Sequence, residues 1–354
     1  MWFELDDLAE VSLTGELRRK ATMTNKIFPD LDPTSYQRHA LHAQDRDWPE
    51  TNCYLDVWIE VLPALGYAPE ACLGYSITQD FEGDQFTFFK VPLEDLERLY
   101  GLRVTELAIY DRVETHVAEQ IARGRLSLVE VDSYYLPDTH GIGYRQAHGK
   151  TTVAINRIDF EQRSMDYFHG LGLHRLEGED FDGIFWRNAP EGALPFLPYT
   201  EFVKFPEVRR TEDHVRATAL FLLKQHLERR PASNPVKAFA EVFPAQVEAV
   251  AERPFEYFHL YAFNTLRQMG ANYELFAAHL DWLSGNQIDG LAEASAQARK
   301  ISTTSKAVQF QLARAVMRKK FDKLVPALQP CVDAWDAMVE SLDKNIAISS
   351  ALAA

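Results

Sequence analysis

Cys53 is the side chain of this sequence best placed to do chemistry. It stands in "DWPETNCYLDVWIEVLPALGY", residues 47–67, directly ahead of a pattern in which Trp58, Val61, Leu62 and Leu65 recur at three- and four-residue spacing. Thr51 and Asn52 are natural N-caps, and Pro63 and Gly66 mark the far end, so the spacing predicts an amphipathic helix with Cys53 in its first turn. A thiol there meets unpaired backbone N–H groups and the positive end of the helix dipole, which favour the thiolate and make the sulfur a better nucleophile near neutral pH. Free cysteine is also among the most buried residue types, so packing is its commoner role, and a histidine elsewhere has to tip the balance.

A thiolate nucleophile needs a base to take its proton and later return it to a leaving group. Among the 11 histidines, His148 lies just before the strand-like "TTVAIN", at the mouth of a sheet that should pack beside the Cys53 helix. The Cys53 backbone N–H is the expected oxyanion donor, with a second donor expected from Asn52 or the Gln44 side chain. The acid-rich stretch "DFEGDQFTFFK" offers Asp80, Glu82, Asp84 and Lys90 beside aromatics and could read an α-ammonium group. Carboxylates around a glycine are more often a solvated loop, and their spacing does not complete a helix–loop–helix calcium site. His39 and His42 in "RHALHAQ" lie one helical turn apart and could join Cys53 as zinc ligands, but nothing marks a fourth position, so no metal is expected.

These residues must be positioned by elements that the sequence divides into two kinds. At 354 residues the chain is long enough for two cores, and 46% apolar, 25% charged and 12% aromatic content is that of a folded globular protein. Residues 53 to about 205 mix helical and strand signals. "PLEDLERLYGL" and "ETHVAEQIARG" read as short helices, the second stopped by Gly124. "LSLVEVDSYYLP", "KTTVAINRID" and "SMDYFHGLGLHRL" read as strands, with "DFEQR" as the turn of an antiparallel hairpin. From about 209 to 346 the chain reads as helix after helix, six or seven in all, with Gly270 and Gly285 as stop signals. The expected class is α+β: a leading helix on an antiparallel sheet within residues 23–207, followed by an α-helical bundle over 208–354.

The chain carries 37 basic against 52 acidic side chains, a net charge of −15 that opposes binding to nucleic acid or anionic membranes. It has no apolar run of membrane-spanning length, and its first residues carry acids where a signal peptide would carry bases. Three cysteines, Cys53, Cys72 and Cys331, cannot all pair and match no close-spaced zinc pattern; a reducing, cytoplasmic location is expected.

The order of helix-capping cysteine, long gap, histidine, strand and hairpin resembles the layout of papain-like folds. The runs "NCYLDVWIEVLPALGYAPEACLGYSI" and "LVEVDSYYLPDT…YRQAHGKTTVAINRID" resemble the N-terminal domain of the butirosin-type acyltransferases. Those are papain-like cysteine enzymes that move an acyl group from a carrier-protein thioester to an amine; the peptidase domains of bacteriocin exporters share the layout. A closer resemblance, over most of residues 25–205, is to the bacterial domain-of-unknown-function 1839 family, carried by "RDWPETNCYLDVWIEVL", "DFEGDQFTFFK", "EVDSYYLPDT" and "YFHGLGLHRLEGEDF". Members are often encoded near ligases that charge a carrier-protein phosphopantetheine with an amino acid, which implies aminoacyl transfer. By position in the resemblance, Cys53 matches the nucleophile and His148 its base. For the group that orients the histidine, the paired strand offers Asp166 and His169, with the spacing from the turn favouring His169. Asp132, at the end of "SLVEVD", is another candidate, either for holding the histidine or a substrate amine or simply as a cap on the following turn. The resemblance begins only near "NKIFPDLDP", and Met23 is an internal start, so residues 1–22 are expected to be a dispensable extension.

Three functions follow. The first is a cysteine acyltransferase that takes an aminoacyl group from a carrier-protein phosphopantetheine thioester to a small amine acceptor, needing no cofactor of its own. Its acidic carrier-protein partner would dock on a basic surface, for which Arg314, Arg318, Lys319, Lys320 and Lys323 are the candidates. The second is a cysteine peptidase or amidase in which water accepts the acyl group. The third is a non-catalytic binding protein of the same fold.

Overall fold

The computed structural model of the protein describes residues 26–286, 288–321, 324 and 326–352, with side chains as far as Ile346. The expected N-terminal extension, residues 1–22, lies outside the described residues, as does Lys323. In chain order the regular elements are α1 (Cys53–Ala64), α2 (Leu93–Tyr100), β1 (Arg103–Glu106), α3 (Val113–Ala122), β2 (Leu126–Asp132), β3 (Lys150–Asp159), β4 (Ser164–His169), β5 (Gly172–Glu177), α4 (Glu179–Ile184) and β6 (Thr200–Lys204). Six α-helices follow among the described residues: α5 (Glu212–Glu228), α6 (Pro235–Ala251), α7 (Glu256–Ala262), α8 (Gln268–Gly285), α9 (Ala292–Arg318) and α10 (Gln329–Leu352). The protein is therefore α+β in its first part and α-helical in its second.

Two compact units share the chain. One holds the described residues up to Tyr36 with Thr105–His169 and Leu173–Lys204; the other holds Gln37–Val104, Gly170–Gly172 and the chain from Phe205 onward. The first is built on a six-stranded sheet of order β1-β6-β2-β3-β4-β5. Strand β2 pairs antiparallel with both β3 and β6, with Asp132 opposite Lys150 and Val129 opposite Val153. β3 and β4 form the hairpin expected around "DFEQR". Alternation along the strands sends Val129, Val131, Val153, Ile155, Met165 and Tyr167 to one face, where they pack with Val117 and Ile121 of α3 and Phe181 and Ile184 of α4. The β3–β4 register shifts between Ile155 and Arg157, and the side chain of Asn156, at this bulge, accepts from the Phe28 N–H at 2.8 Å, tying the segment before the first helix to the sheet.

In the second unit, α8, α9 and α10 pack in succession, and a 3₁₀ segment, Pro69–Thr78, lies against α5 and α8. The expected stop at Gly270 is not one. Helix α8 runs through it to Gly285, and glycine is needed there because a Cβ would come within 2.5 Å of the Trp48 indole. The glycine admits a ring, and a five-residue π turn at Phe263–Arg267 marks the break instead. Among the described residues no helix is long and apolar enough to cross a membrane.

Candidate active site

Cys53 opens α1 as expected. The Asn52 side chain accepts the Leu55 N–H at 3.0 Å as the N-cap, and its amide donates to the Phe89 carbonyl at 2.9 Å. Asn52 is thus a buried structural cap whose two ends fix the helix start and the end of the "DFEGDQFTFFK" segment. Lys90, next in that segment, places its ammonium 3.9 Å from the centre of the Tyr54 ring, so this cation lies beside the first turn of α1. Upstream, Asp80 accepts its neighbour's N–H at 2.7 Å and the loop closes through a Phe81–Phe86 bridge, with Asp84 exposed at its tip. Gln44 is exposed on the turn after a short 3₁₀ helix, Ala40–His42.

No disulfide joins the three cysteines. Burial pushes the thiols of Cys72 and Cys331 up to about 12, which leaves them protonated at any working pH. Cys53 is half-buried, the most exposed of the three cysteines.

Beneath the start of α1 lies a charged cluster that sequence reasoning missed. His42 is fully buried, with Nδ1 against Glu60 and Nε2 3.3 Å from Asp56. Asp56 also accepts the Thr51 hydroxyl at 2.5 Å and its N–H at 3.1 Å, and Glu60 accepts the His39 N–H at 3.1 Å. Burial of the ring opposes its charge, but hydrogen bonds and attraction from Asp56 and Glu60 outweigh it and raise His42 to about 9. A buried imidazolium between two carboxylates pins residues 39–51 onto the first turns of α1. It also overturns the idea of a His39–His42–Cys53 metal set, since both His42 nitrogens are engaged away from the thiol. The i, i+4 carboxylates Asp56 and Glu60 on an otherwise apolar helix were the available signal.

The sheet unit carries the candidate base. His148, just ahead of β3, sets Nδ1 2.6 Å from Asp132 Oδ2, and its ring stacks on Tyr134 with centroids 4.5 Å apart and 14° between planes. Asp132 accepts further bonds from the Tyr134 and Gly149 N–H groups at 3.0 and 3.1 Å. Burial would raise the Asp132 carboxyl, but the His148 bond and these two N–H donors hold it below the usual carboxylate range. With Asp132 ionised, Nδ1 is the ring nitrogen that donates to it, and Nε2 is the one turned to other groups. The imidazole is 71% exposed, and among the described residues Nε2 has no hydrogen-bond partner. Both groups line an open groove of about 560 Å³ with Glu130, Lys150, Phe196, Pro198 and Tyr199.

The other two expected orienters serve elsewhere. His169 is buried, with Nδ1 2.5 Å from Asp138 and Nε2 2.7 Å from the Thr151 hydroxyl; Asp138 also takes the Tyr167 hydroxyl at 2.5 Å. Asp166 is fully buried and neutralised by Arg175 at 2.6 Å, Arg157 at 3.2 Å and Lys26 at 3.6 Å. It is Asp132, not His169 or Asp166, that holds His148. Asp138 and Tyr134, in "DSYYLPDT", were missed; their signal is the density of aromatic and acidic residues directly after β2.

Of the candidate basic surface, Arg314, Arg318, Lys319 and Lys320 are exposed at the end of α9, where Lys319 shares a hollow of about 510 Å³ with Glu248 and Glu252. Among the described residues no group of three or more His, Cys, Asp or Glu side chains is placed to hold a metal ion.

The fold and these residues define an α+β protein with a helix-capping thiol in one unit and a carboxylate-held, solvent-facing histidine in the other. The DUF1839 N-terminal domain matches residues 37–205 and the DUF1839 C-terminal domain residues 212–344, so the chain belongs to the DUF1839 family. No curated protein matches the chain.

Proposed function

We propose that the protein is a cysteine acyltransferase that moves an aminoacyl group from the phosphopantetheine thioester of a carrier protein to an amine. In this reading His148 Nε2 takes the Cys53 thiol proton, the Cys53 thiolate attacks the thioester carbonyl, the oxyanion collapses, and the departing phosphopantetheine thiolate takes that proton back from His148. An amine then attacks the acyl-cysteine, His148 Nε2 receives the amine proton and passes it to the departing Cys53 thiolate, and an amide and the Cys53 thiol are the products. The observation that carries the reading is the Asp132–His148 pair at 2.6 Å with its other nitrogen in an open groove. Among the described residues no other histidine joins a carboxylate within 3 Å to a largely exposed ring: His42, His169 and His226 make such contacts while buried. The acidic carrier would dock through Arg314, Arg318 and Lys320, and the reaction needs no cofactor beyond the carrier's own arm.

The experiment is intact-mass analysis after mixing with an aminoacylated carrier protein. A gain of one aminoacyl group on the wild type, absent in Cys53→Ala and slowed about 10²–10⁴-fold in His148→Ala, is the expected result. Acylation of His148→Ala at the wild-type rate overturns the pair. Because the His148 ring is largely exposed, water also has access, and an amidase-type hydrolase is the second reading; free amino acid formed equally with and without added amine would favour it. A Cys53 thiol that reacts with iodoacetamide no faster than free cysteine would leave the binding-protein reading standing.

A further inference from the structure

The groove beside His148 has a composition that the acid–base pair does not account for. Its two carboxylates, Glu130 and Asp132, lie two residues apart on β2 and so on the same face of the sheet. Its one lysine, Lys150, is held to Glu130 at 2.6 Å. A third carboxylate, the buried Glu201, takes the hydroxyl of the lining residue Tyr199 at 2.6 Å. The rest of the lining includes Phe196, Pro198 and Tyr199, with Phe196 continued by Trp186, whose ring stacks on it at 5.3 Å and 20°. Trp186, Phe196 and Tyr199 are all exposed, and Trp186 is held at φ 52°, a left-handed conformation that is costly for a bulky residue. Two carboxylates against one lysine, with exposed aromatic side chains in the same lining, are complementary to a cation with an apolar body. An anion would meet two carboxylates in the groove.

We infer that this groove binds a primary ammonium compound with an apolar or aromatic body, the ammonium on Glu130 and Asp132 and the body against Phe196 and Tyr199. The inference rests on the proposed transfer reaction for its meaning, because both an acceptor amine and the α-ammonium of an aminoacyl donor have this chemistry. The binding itself does not require that reaction.

Calorimetric titration of the full-length protein tests it with four probes: phenethylamine, phenylalanine amide, 2-phenylethanol and phenylacetate. The two amines should bind and the alcohol and the carboxylate should not. Glu130→Gln and Phe196→Ala should each weaken amine binding about ten-fold, whereas Phe310→Ala, an exposed aromatic on α9, should leave it unchanged. Tighter binding of phenylalanine amide assigns the ammonium to the acyl donor; equal or tighter binding of phenethylamine assigns it to the acceptor. Phenylacetate binding as well as the amines, no amine binding at solubility-limited concentrations, or affinities indifferent to Glu130→Gln and Phe196→Ala would each overturn the inference. Amine binding retained in Cys53→Ala, in a protein whose wild type never becomes acylated, would sink the transfer reading and leave this one intact.

Discussion

Replacement of His42 tests whether a buried imidazolium holds the start of the Cys53 helix. The side chain is fully enclosed between Asp56 and Glu60, and its proton is retained up to about pH 9 in the folded state against about 6.5 for an unperturbed histidine. A difference of that size corresponds to about 3 kcal/mol of folding stability. Because the folded value is the higher one, this stability is fully present below about pH 6.5, where both states are protonated, and is lost as the pH rises through about 9. Urea unfolding of the wild type and of His42→Gln, which keeps an N–H donor but cannot be charged, should therefore give stability curves that converge by about 3 kcal/mol between pH 6.5 and 9.5. The ring's own proton resonance should titrate near pH 9. A His42 resonance titrating near pH 6.5, or a stability difference flat across that range, refutes the charged-cluster assignment. The same convergence should appear at Cys53. Residues 39–51 are tied to α1 through Asp56 and Glu60, so loosening that tie exposes the helix start; iodoacetamide labelling of Cys53 should rise in the wild type as His42 loses its proton near pH 9, and His42→Gln should lack that rise.

In the folded wild type, iodoacetamide at pH 8 should modify Cys53 and spare Cys72 and Cys331, whose thiols burial holds near 12; peptide mapping reads this, and equal labelling of all three contradicts it. His169→Ala should cost about 3–5 kcal/mol by stranding the buried Asp138 carboxylate, whereas His148→Ala, at an exposed ring, should change stability by no more than about 1 kcal/mol; thermal melts that reverse this order would show that the two histidines have been assigned the wrong roles. Gly270→Ala should destabilise by about 1–3 kcal/mol despite alanine's better helix propensity, since the new methyl enters the Trp48 ring; a stabilised variant would mean the indole can move aside.

Local signals in the sequence carried far. The Cys53 helix, its Asn52 cap, the β3–β4 hairpin and the glycine at the end of α3 are all written within a few residues of where they act, as periodicity and capping chemistry. Gly270 shows the limit. As a local signal a glycine behind a helical pattern reads as a stop, and only Trp48, far off in the chain, shows it to be a packing site. His148 was legible as a polar residue at a strand mouth and Asp132 as one of three candidates to hold it, but the choice of Asp132 over His169 and Asp166 was not. Asp132 is beside His148 because β2 and β3 pair with Asp132 opposite Lys150, and that register is a property of the sheet, which no single strand contains.

The division into units teaches the same lesson about domains. Composition changes near residue 205, and the two family domains meet there, between residues 205 and 212. The compact units cut the chain differently, since Cys53 and its helix belong with the helical half while the sheet takes residues on both sides of that segment. The reason is in particular contacts: Glu274 of α8 accepts the Asp47 and Trp48 N–H groups at 3.2 and 3.0 Å, Gly270 receives the Trp48 ring, and the Asn272 side chain donates to the Ser76 carbonyl at 2.9 Å. Gly270 and Glu274 fasten the approach to α1, and Asn272 the 3₁₀ segment after it, onto α8. The proposed nucleophile is thereby stabilised by the helical half and its proposed base by the sheet. Glu274→Gln should accordingly alter the protection of residues 46–60 against hydrogen exchange while leaving that of β2 and β3 unchanged, and uniform loss of protection in both would show that the two units fold as one.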